Sequence, residues 1–262
     1  MNTLLSLTAI ILVSFGTSYE NSRQATIVAV EKEVQQAYPD AYVTSAYTST
    51  MIRKKLLERD GTKIFSVSEA LEDAKAKGCK TVLIQPTHMM YGLEYNEMKD
   101  LAAPYEKQFD KVLYGEPLMA TNEDISAVLK ALAKGNPLAK KQALVLMGHG
   151  SPNQHNPVYE LIQRYADDKH LPVHIGVVEA EDYPNIDDVI RRLKKDNIKK
   201  VFLRPMMLVG GDHAQNDMAG ESSDSWKNRL KAAGIDVRCC TKGLGENPAY
   251  RKLYVEKLKQ VI

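Results

Sequence analysis

The chain has 262 residues, of which 44% are hydrophobic and 26% are charged. That composition supports a buried core in one large domain or two smaller ones, and it argues against disorder. The 35 Lys and Arg residues nearly balance the 33 Asp and Glu residues, without long runs of one sign. We therefore expect neither a nucleic acid nor a membrane surface as partner, but a small or medium-sized ligand.

The apolar segment 1–15 lacks the pattern of a signal peptide. No Lys or Arg precedes Arg23, and no small-x-small cleavage motif follows the apolar residues. The segment is also too short to span a bilayer, and its part 8–14 instead predicts a buried strand. The three cysteines form no CxxC pair, which fits a reducing compartment. We expect a cytoplasmic protein, with an exported form as the alternative.

Short apolar runs alternate with amphipathic stretches along the whole chain. The strongest predicted strands are 8–14, 80–85, 142–147, 172–178 and 200–204. Apolar residues at helical spacing predict helices between them, around 27–37, 125–132 and 186–193. This alternation is typical of βαβ units, in which a parallel sheet is covered by helices.

Several residues predict where helices begin and end. Ser66 and Glu69 have the spacing of a capping box. Asn122 is the predicted cap of a helix that Gly135 ends, and Gly234 follows a later helix.

The chain resembles itself at half its length. Residues 11–18 (ILVSFGTS) are similar to residues 144–151 (LVLMGHGS), and 82–90 parallels 201–207. Eight residues after the paired prolines, Glu94 in the first half corresponds to His213 in the second.

This repeat predicts an α/β fold of two similar Rossmann-like or flavodoxin-like halves, each a parallel sheet flanked by helices, with a cleft between them. We place the halves at 1–136 and 137–262, and we leave open that the C-terminal helix packs back on the first half. Ligands of such sheets bind at the carboxyl ends of the strands, so the loops there should line the cleft.

Three such loops in the second half carry metal-binding side chains. His149 follows the strand 142–147, Glu179 follows 172–178, and His213 lies beyond 200–204. Two imidazoles and one carboxylate suit Co, Fe, Ni or Zn and leave coordination positions open for a substrate. Each residue alone is more often structural or solvated, but their shared sheet edge favours a metal site.

Other chemistries have weaker support. Residues 148–151 (GHGS) do not form a Gly-x-Ser-x-Gly elbow, and we find no acyl-transfer triad. Residues 14–19 (SFGTSY) lack the P-loop lysine and the Rossmann glycine spacing, which argues against a nucleotide site.

The chain resembles the anaerobic sirohydrochlorin cobaltochelatases, class II chelatases related to ferrochelatase. The resemblance runs nearly end to end and is carried by LVSFGTSY (12–19), TSTMIRKK (48–55), MGHG (147–150), GVVE (176–179), PMMLVGGDHAQND (205–217), DSWK (224–227) and GLGENP (243–248).

The resemblance implies that His149, Glu179 and His213 bind the metal and act in catalysis. It also implies that a sirohydrochlorin-type tetrapyrrole lies in the cleft and that no organic cofactor is used. Co(II) is the expected metal, with Fe(II), Ni(II) and Zn(II) as alternatives. Since residues 180–184 are slightly longer than the family pattern, Glu181 is an alternative to Glu179 as the carboxylate ligand.

The first half is expected to supply walls and substrate contacts. The candidate substrate-binding residues are Phe15, Thr17, Ser18, His88, Tyr91 and Glu94. His88 lies on an otherwise apolar run, which favours a structural or pocket-lining role for it. Residues 53–55 could pair with substrate carboxylates, although a solvated basic helix face explains them equally well.

Two other functions remain open from sequence. The first is a sirohydrochlorin ferrochelatase for sirohaem, because one ligand set accepts several first-row ions. The second is a haem-binding or metal-binding carrier that does not catalyse insertion. A homo-oligomer is compatible with the sequence.

Overall fold

The computed structural model describes residues 7–135, 138–139, 141–151, 155–179 and 181–262. Within them the strands are β1 (Thr8–Ser14), β2 (Tyr42–Tyr47), β3 (Thr81–Pro86), β4 (Lys111–Tyr114), β5 (Gln142–Gly148), β6 (Val173–Val177), β7 (Lys200–Pro205) and β8 (Asp236–Cys239).

The α-helices of the described residues are α1 (Glu20–Ala25), α2 (Ile27–Ala37), α3 (Thr50–Asp60), α4 (Val67–Ala76), α5 (Leu93–Ala102), α6 (Asn122–Gly135), α7 (Val158–Asp168), α8 (Ile186–Lys195), α9 (Trp226–Ala232) and α10 (Pro248–Lys259). Among the helices that the structure describes, none has the length and apolarity that crossing a membrane requires.

The strands form two four-stranded parallel sheets with the same order. The first sheet is β2-β1-β3-β4 and the second is β6-β5-β7-β8. Every residue of β1 is buried, as is nearly all of β5, which is typical of central parallel strands covered by helices on both faces. The α/β class and the two similar halves predicted from the sequence are therefore confirmed.

Three strands escaped the sequence prediction. β2 has the burial of a partly exposed strand, and its apolar pattern is interrupted by Thr44 and Ser45. β4 and β8 have only four residues each and are buried only in part. Such short, half-exposed strands lack the continuous apolar run that identifies a central strand.

Helices pack their apolar stripes against these sheets. In α2 the buried side chains include Ile27, Val30 and Val34, and in α8 they include Val189 and Leu193. Each fully buried aliphatic side chain contributes on the order of 1.5–3 kcal/mol relative to an exposed one.

Helix ends follow the predicted signals with one correction. Ser66 and Glu69 form the predicted capping box at α4. Asn122, however, is the first residue of α6 and not its cap. Thr121 caps this helix, because its hydroxyl accepts from Asp124 N at 3.2 Å while the Asp124 carboxylate accepts from Thr121 N at 2.9 Å.

The chain divides into two compact units. The first runs to Ala120 and also contains Gly245–Ile262, and the second is Thr121–Leu244. This division falls before α6, whereas the sequence suggested a division after residue 136. In the first unit α10 packs near the end of β3, where the Tyr254 hydroxyl donates to Thr87 O at 2.7 Å.

Candidate metal centre

One edge of the second sheet carries all three predicted metal ligands. β5 lies between β6 and β7 and is parallel to both, so their carboxyl ends share that edge. His149 directly follows β5, and Glu179 lies two residues beyond β6. His213 lies in the loop after β7, just before one turn of π-helix at Ala214–Met218.

The three side chains converge closely enough to share an ion. Their candidate ligand atoms all lie within 4.8 Å of one another. The imidazole rings of His149 and His213 meet edge to face with centroids 4.7 Å apart, and His149 Nδ1 is 3.8 Å from Glu179 Oε1. The structure thus brings together residues that are 64 positions apart in sequence, between His149 and His213.

The site is open to solvent. The side chains of His149, Glu179 and His213 are 40%, 30% and 37% exposed, so an ion can enter without displacing the core. Two imidazoles and one carboxylate suit a borderline divalent ion and leave at least one coordination position free.

Backbone hydrogen bonds fix His149 beside Glu179. Val178 N donates to Gly148 O at 3.0 Å, and Glu179 N donates to His149 O at 3.0 Å. These bonds continue the pairing of β5 with β6 past the ends of both strands. The distance between the two ligand side chains is therefore set by sheet geometry as well as by their own rotamers.

The turn around His149 depends on its flanking glycines. A Cβ atom on Gly148 would lie 2.3 Å from the ring of Tyr159. Gly150 has φ +88°, where side chains are strained, and its Cβ would meet Glu179 Cβ at 3.0 Å. Larger residues here would push the His149 segment away from Glu179.

Asp217 orients His213, a role that the sequence interpretation missed. Its Oδ2 lies 2.7 Å from His213 Nδ1 across an i,i+4 spacing. When Nδ1 donates this hydrogen bond, Nε2 has the free lone pair that a metal requires. The four-residue separation of His213 and Asp217 was the available sequence signal.

The structure distinguishes the two candidate carboxylates. Glu179 belongs to the converging group, whereas Glu181 is exposed and outside it. Among the described residues, the group of His149, Glu179 and His213 is the single cluster of His, Cys, Asp or Glu with this geometry.

The candidate substrate residues that follow β1 differ in accessibility. Phe15 is 50% exposed and Thr17 is 4% exposed, while Ser18 is partly buried. Phe15 can therefore offer its ring to a ligand, whereas the side chain of Thr17 is packed inside the first unit.

The candidate substrate residues in the loop after β3 also differ in accessibility. Tyr91 is 40% exposed, and its hydroxyl donates to Glu116 at 3.2 Å. Both ring nitrogens of His88 are buried and have no hydrogen-bond partner among the described residues. Burial lowers the pKa of His88 to about 4, partly opposed by the charge of Glu94, so His88 is neutral at pH 7.

The basic residues 53–55 also differ in whether they are available to a ligand. Arg53 donates to Glu69 at 3.2 Å, which gives it a structural partner on α4. Lys54 and Lys55 are exposed, and Lys54 pairs only loosely with Glu58 at 3.7 Å.

Comparison with known proteins identifies relatives over nearly the entire chain. The family described as cobalt chelatase (CbiK) matches residues 8–262. A sirohydrochlorin cobaltochelatase of Salmonella typhimurium is 37% identical over 255 residues, which cover 97% of this chain and 96% of the relative. A sirohydrochlorin cobaltochelatase, CbiKC, of Nitratidesulfovibrio vulgaris is 28% identical over 260 residues, with coverage of 97% and 90%.

Solved structures share the fold. SirB from Bacillus subtilis with Fe3+ superposes with a TM-score of 0.62 at 17% identity, covering 97% of this chain and 94% of that one. The sirohydrochlorin chelatase SirB of Bacillus subtilis subspecies spizizenii in complex with cobalt gives a TM-score of 0.61 at 14% identity, with the same coverage. With the family match over residues 8–262, the sequence relatives establish that this chain belongs to the CbiK family of cobalt chelatases.

Proposed function

We propose that the protein inserts Co(II) into sirohydrochlorin, and that His149, Glu179 and His213 hold the incoming ion. The observation that carries this proposal is the convergence of their ligand atoms within 4.8 Å of one another, in a member of a cobalt chelatase family. The substrate is carried over from two relatives that are named as sirohydrochlorin cobaltochelatases. The ion is a substrate in this reaction, because it leaves with the product.

The open geometry suits transient binding. Partial exposure lets the three side chains exchange an ion with solvent, and vacant positions let the tetrapyrrole nitrogens replace water and then protein ligands. A fully enclosed four-ligand site would retain the metal. The negative charge of Glu179 favours the arrival of a dication.

Proton balance assigns a second task to the histidines. A dication that enters the macrocycle replaces two pyrrole N–H protons, which must pass to a base. His149 and His213 are imidazoles beside the metal position, and each can accept a proton when it releases the ion. Asp217 is placed to hold His213 in one orientation. The exchange needs no electron transfer, so we propose that no organic cofactor takes part.

The macrocycle needs contacts beyond the metal. We keep Phe15, Ser18, Tyr91 and Glu94 as candidate contacts, with Thr17 as a buried support of that loop. For His88 we favour the structural interpretation, because its ring nitrogens are buried. On the cysteine pattern we place the protein in the cytoplasm.

The test is an anaerobic absorbance assay with sirohydrochlorin and either Co(II) or Fe(II). We expect metallation above the uncatalysed rate, faster with Co(II), and its loss in His149→Ala. The matched control is His170→Asn, which changes an exposed histidine at φ +53° to a residue that tolerates this conformation. Binding of sirohydrochlorin without insertion would instead identify a carrier, and faster Fe(II) insertion would identify a ferrochelatase.

A further inference from the structure

A buried carboxylate, Asp182, lies three residues after Glu179. Its side chain is fully buried, and among the described residues no Lys or Arg pairs with it. A buried charge is costly unless hydrogen bonds compensate it. An apolar residue at this position would cost less free energy to bury, so the hydrogen bonds of the carboxylate must explain why an aspartate is present.

Hydrogen-bond donors surround both oxygens of Asp182. Oδ2 accepts from Ser151 N at 2.8 Å. Oδ1 accepts from Tyr183 N at 2.7 Å and from Asn156 N at 3.2 Å, and His155 Nδ1 lies 3.0 Å away. Hydrogen bonds to Asp182 and, to a smaller extent, to Glu160 raise the pKa of His155. This favours a positive charge beside the Asp182 carboxylate.

These contacts join the segment after β5 to the segment after β6. Ser151 lies two residues beyond His149, and Asp182 N donates to Glu179 O at 3.2 Å. Glu179 N in turn donates to His149 O at 3.0 Å. Together with the backbone from His149 to Ser151, these hydrogen bonds form a closed circuit through Glu179 and Asp182. The two ligand segments therefore cannot separate unless one of these hydrogen bonds breaks.

Tyr159 supports the same circuit through another residue. Gly150 N donates to the Tyr159 hydroxyl at 2.9 Å, and Tyr159 is 5% exposed. The two residues that follow His149 are therefore anchored, Gly150 by a helix side chain and Ser151 by Asp182.

We propose that Asp182 is a positioning residue that sets the separation of His149 and Glu179, assisted by Tyr159, and thereby determines the affinity for the divalent ion. Asp182 is not a ligand itself, because both its oxygens are occupied and it lies outside the converging group. This inference rests on the proposed function only in identifying the bound ion as the substrate.

The test titrates Co(II) into the metal-free full-length protein and follows the visible absorption of the bound ion, without tetrapyrrole. Asp182→Asn keeps the size of the side chain but replaces one acceptor oxygen with a donor, so either Ser151 N or the Oδ1 donors lose their partner. We expect the dissociation constant for Co(II) to rise roughly 10- to 100-fold, as is typical for groups that orient metal ligands.

Asp188→Asn is the matched control. Asp188 is also a buried carboxylate of the second unit. It accepts from Asn185 N at 3.0 Å in the capping box of α8 and from Arg191 Nη1 at 2.6 Å, but it does not join the ligand segments. We expect it to lower the unfolding temperature as Asp182→Asn does while leaving the Co(II) affinity within twofold. Equal Co(II) affinity in the two folded variants would overturn the proposal.

A second variant covers the case in which Asp182→Asn does not fold. Tyr159→Phe removes only the hydroxyl that accepts from Gly150 N, and we expect Co(II) binding to weaken several-fold. An unchanged dissociation constant in this folded variant would also overturn the proposal. In the metallation assay, Asp182→Asn should raise the KM for Co(II) and leave the KM for sirohydrochlorin unchanged. Absence of metallation by the wild type would reject the proposed function alone, because the Co(II) titration does not depend on it.

Discussion

The two units use the same backbone turn for different purposes. After β1, Ser49 N donates to Phe15 O at 3.3 Å, and after β5, Glu179 N donates to His149 O at 3.0 Å. By strand register, Phe15 and Ser49 therefore lie where the second unit has two of the proposed metal ligands, His149 and Glu179. The scaffold provides the position, and the side chain placed there decides whether it binds a metal.

Each of these turns has a central glycine with the same unusual backbone conformation, so the conformation of the turn is common to both units. Gly16 has φ +108° and Gly150 has φ +88°. A Cβ on Gly16 would lie 2.4 Å from the ring of Tyr47, and one on Gly150 would lie 3.0 Å from Val177 Cβ. Tyr47 and Val177 are the last residues of β2 and β6, so the same close approach recurs in both units.

The first unit fills the equivalent edge differently. Ser14 Oγ and Thr87 Oγ1 form a buried hydrogen bond of 2.7 Å, where the register places Gly148 and Met206 in the second unit. The first unit also has Phe15 and Ser49, and so neither an imidazole nor a carboxylate, at the register positions of His149 and Glu179. A shared fold thus predicts where a site can form but not which half contains it.

The largest expected effect tests this asymmetry directly. His149→Ala removes a proposed ligand, and we expect Co(II) binding to weaken by more than about 100-fold, beyond the usual effect of losing an orienting group. Phe15→Ala changes the equivalent position of the first unit and should leave Co(II) affinity unchanged. Isothermal titration of both variants measures the difference. Similar affinities would mean that the ion binds elsewhere.

Glu179→Gln tests the contribution of the carboxylate charge, because it removes the charge and keeps the shape of the side chain. We expect Co(II) affinity to fall on the order of 10- to 100-fold, because an amide is a weaker ligand for a dication than a carboxylate. Glu181→Gln, two residues further on and exposed, should bind Co(II) as the wild type does. The reverse result would transfer the ligand role to Glu181.

His88 offers a pH test in the first unit, because the register places Met207 at the corresponding position of the second. Burial lowers the pKa of His88 to about 4, so the unfolded chain binds more protons between that value and the ordinary one. Stability should therefore fall as pH falls from 7 to 5, by about 2 kcal/mol from this residue.

In His88→Met that part of the pH dependence should disappear. Urea unfolding at pH 7 and pH 5 measures it, and His174, whose pKa burial also lowers, is present in both proteins and cancels. Equal pH dependence in variant and wild type would show that His88 is accessible to protons in the folded state.

The smallest expected effect concerns the orientation of His213. Asp217→Asn keeps an acceptor for Nδ1 but removes its charge, and we expect Co(II) affinity to fall about tenfold. Asp236→Asn, an exposed carboxylate on β8 with only a 4.0 Å contact to Lys200, is the control. Co(II) titration at constant pH distinguishes them, and equal affinities would remove Asp217 from the site.

Much of the fold was predictable because central parallel strands have a local signature. β1, β5 and β7 are buried apolar runs that stand out in sequence. β4 and β8 could not be found this way, since four partly exposed residues form a strand only through pairing with β3 and β7. Thr121 and Asp124, by contrast, have the same spacing as Ser66 and Glu69, so the cap of α6 was recognisable from the sequence.

For the site, sequence alone determined the chemistry: two histidines and a carboxylate at strand ends, in a half-repeat whose counterpart lacks them. Only the tertiary structure determined which side chains lie close enough to act together. It placed Glu179 instead of Glu181 in the cluster, paired His213 with Asp217, and put Asp182 between the ligand segments. Residue type and local periodicity are encoded along the chain, but the approach of side chains from separate strands is fixed only when the sheet forms.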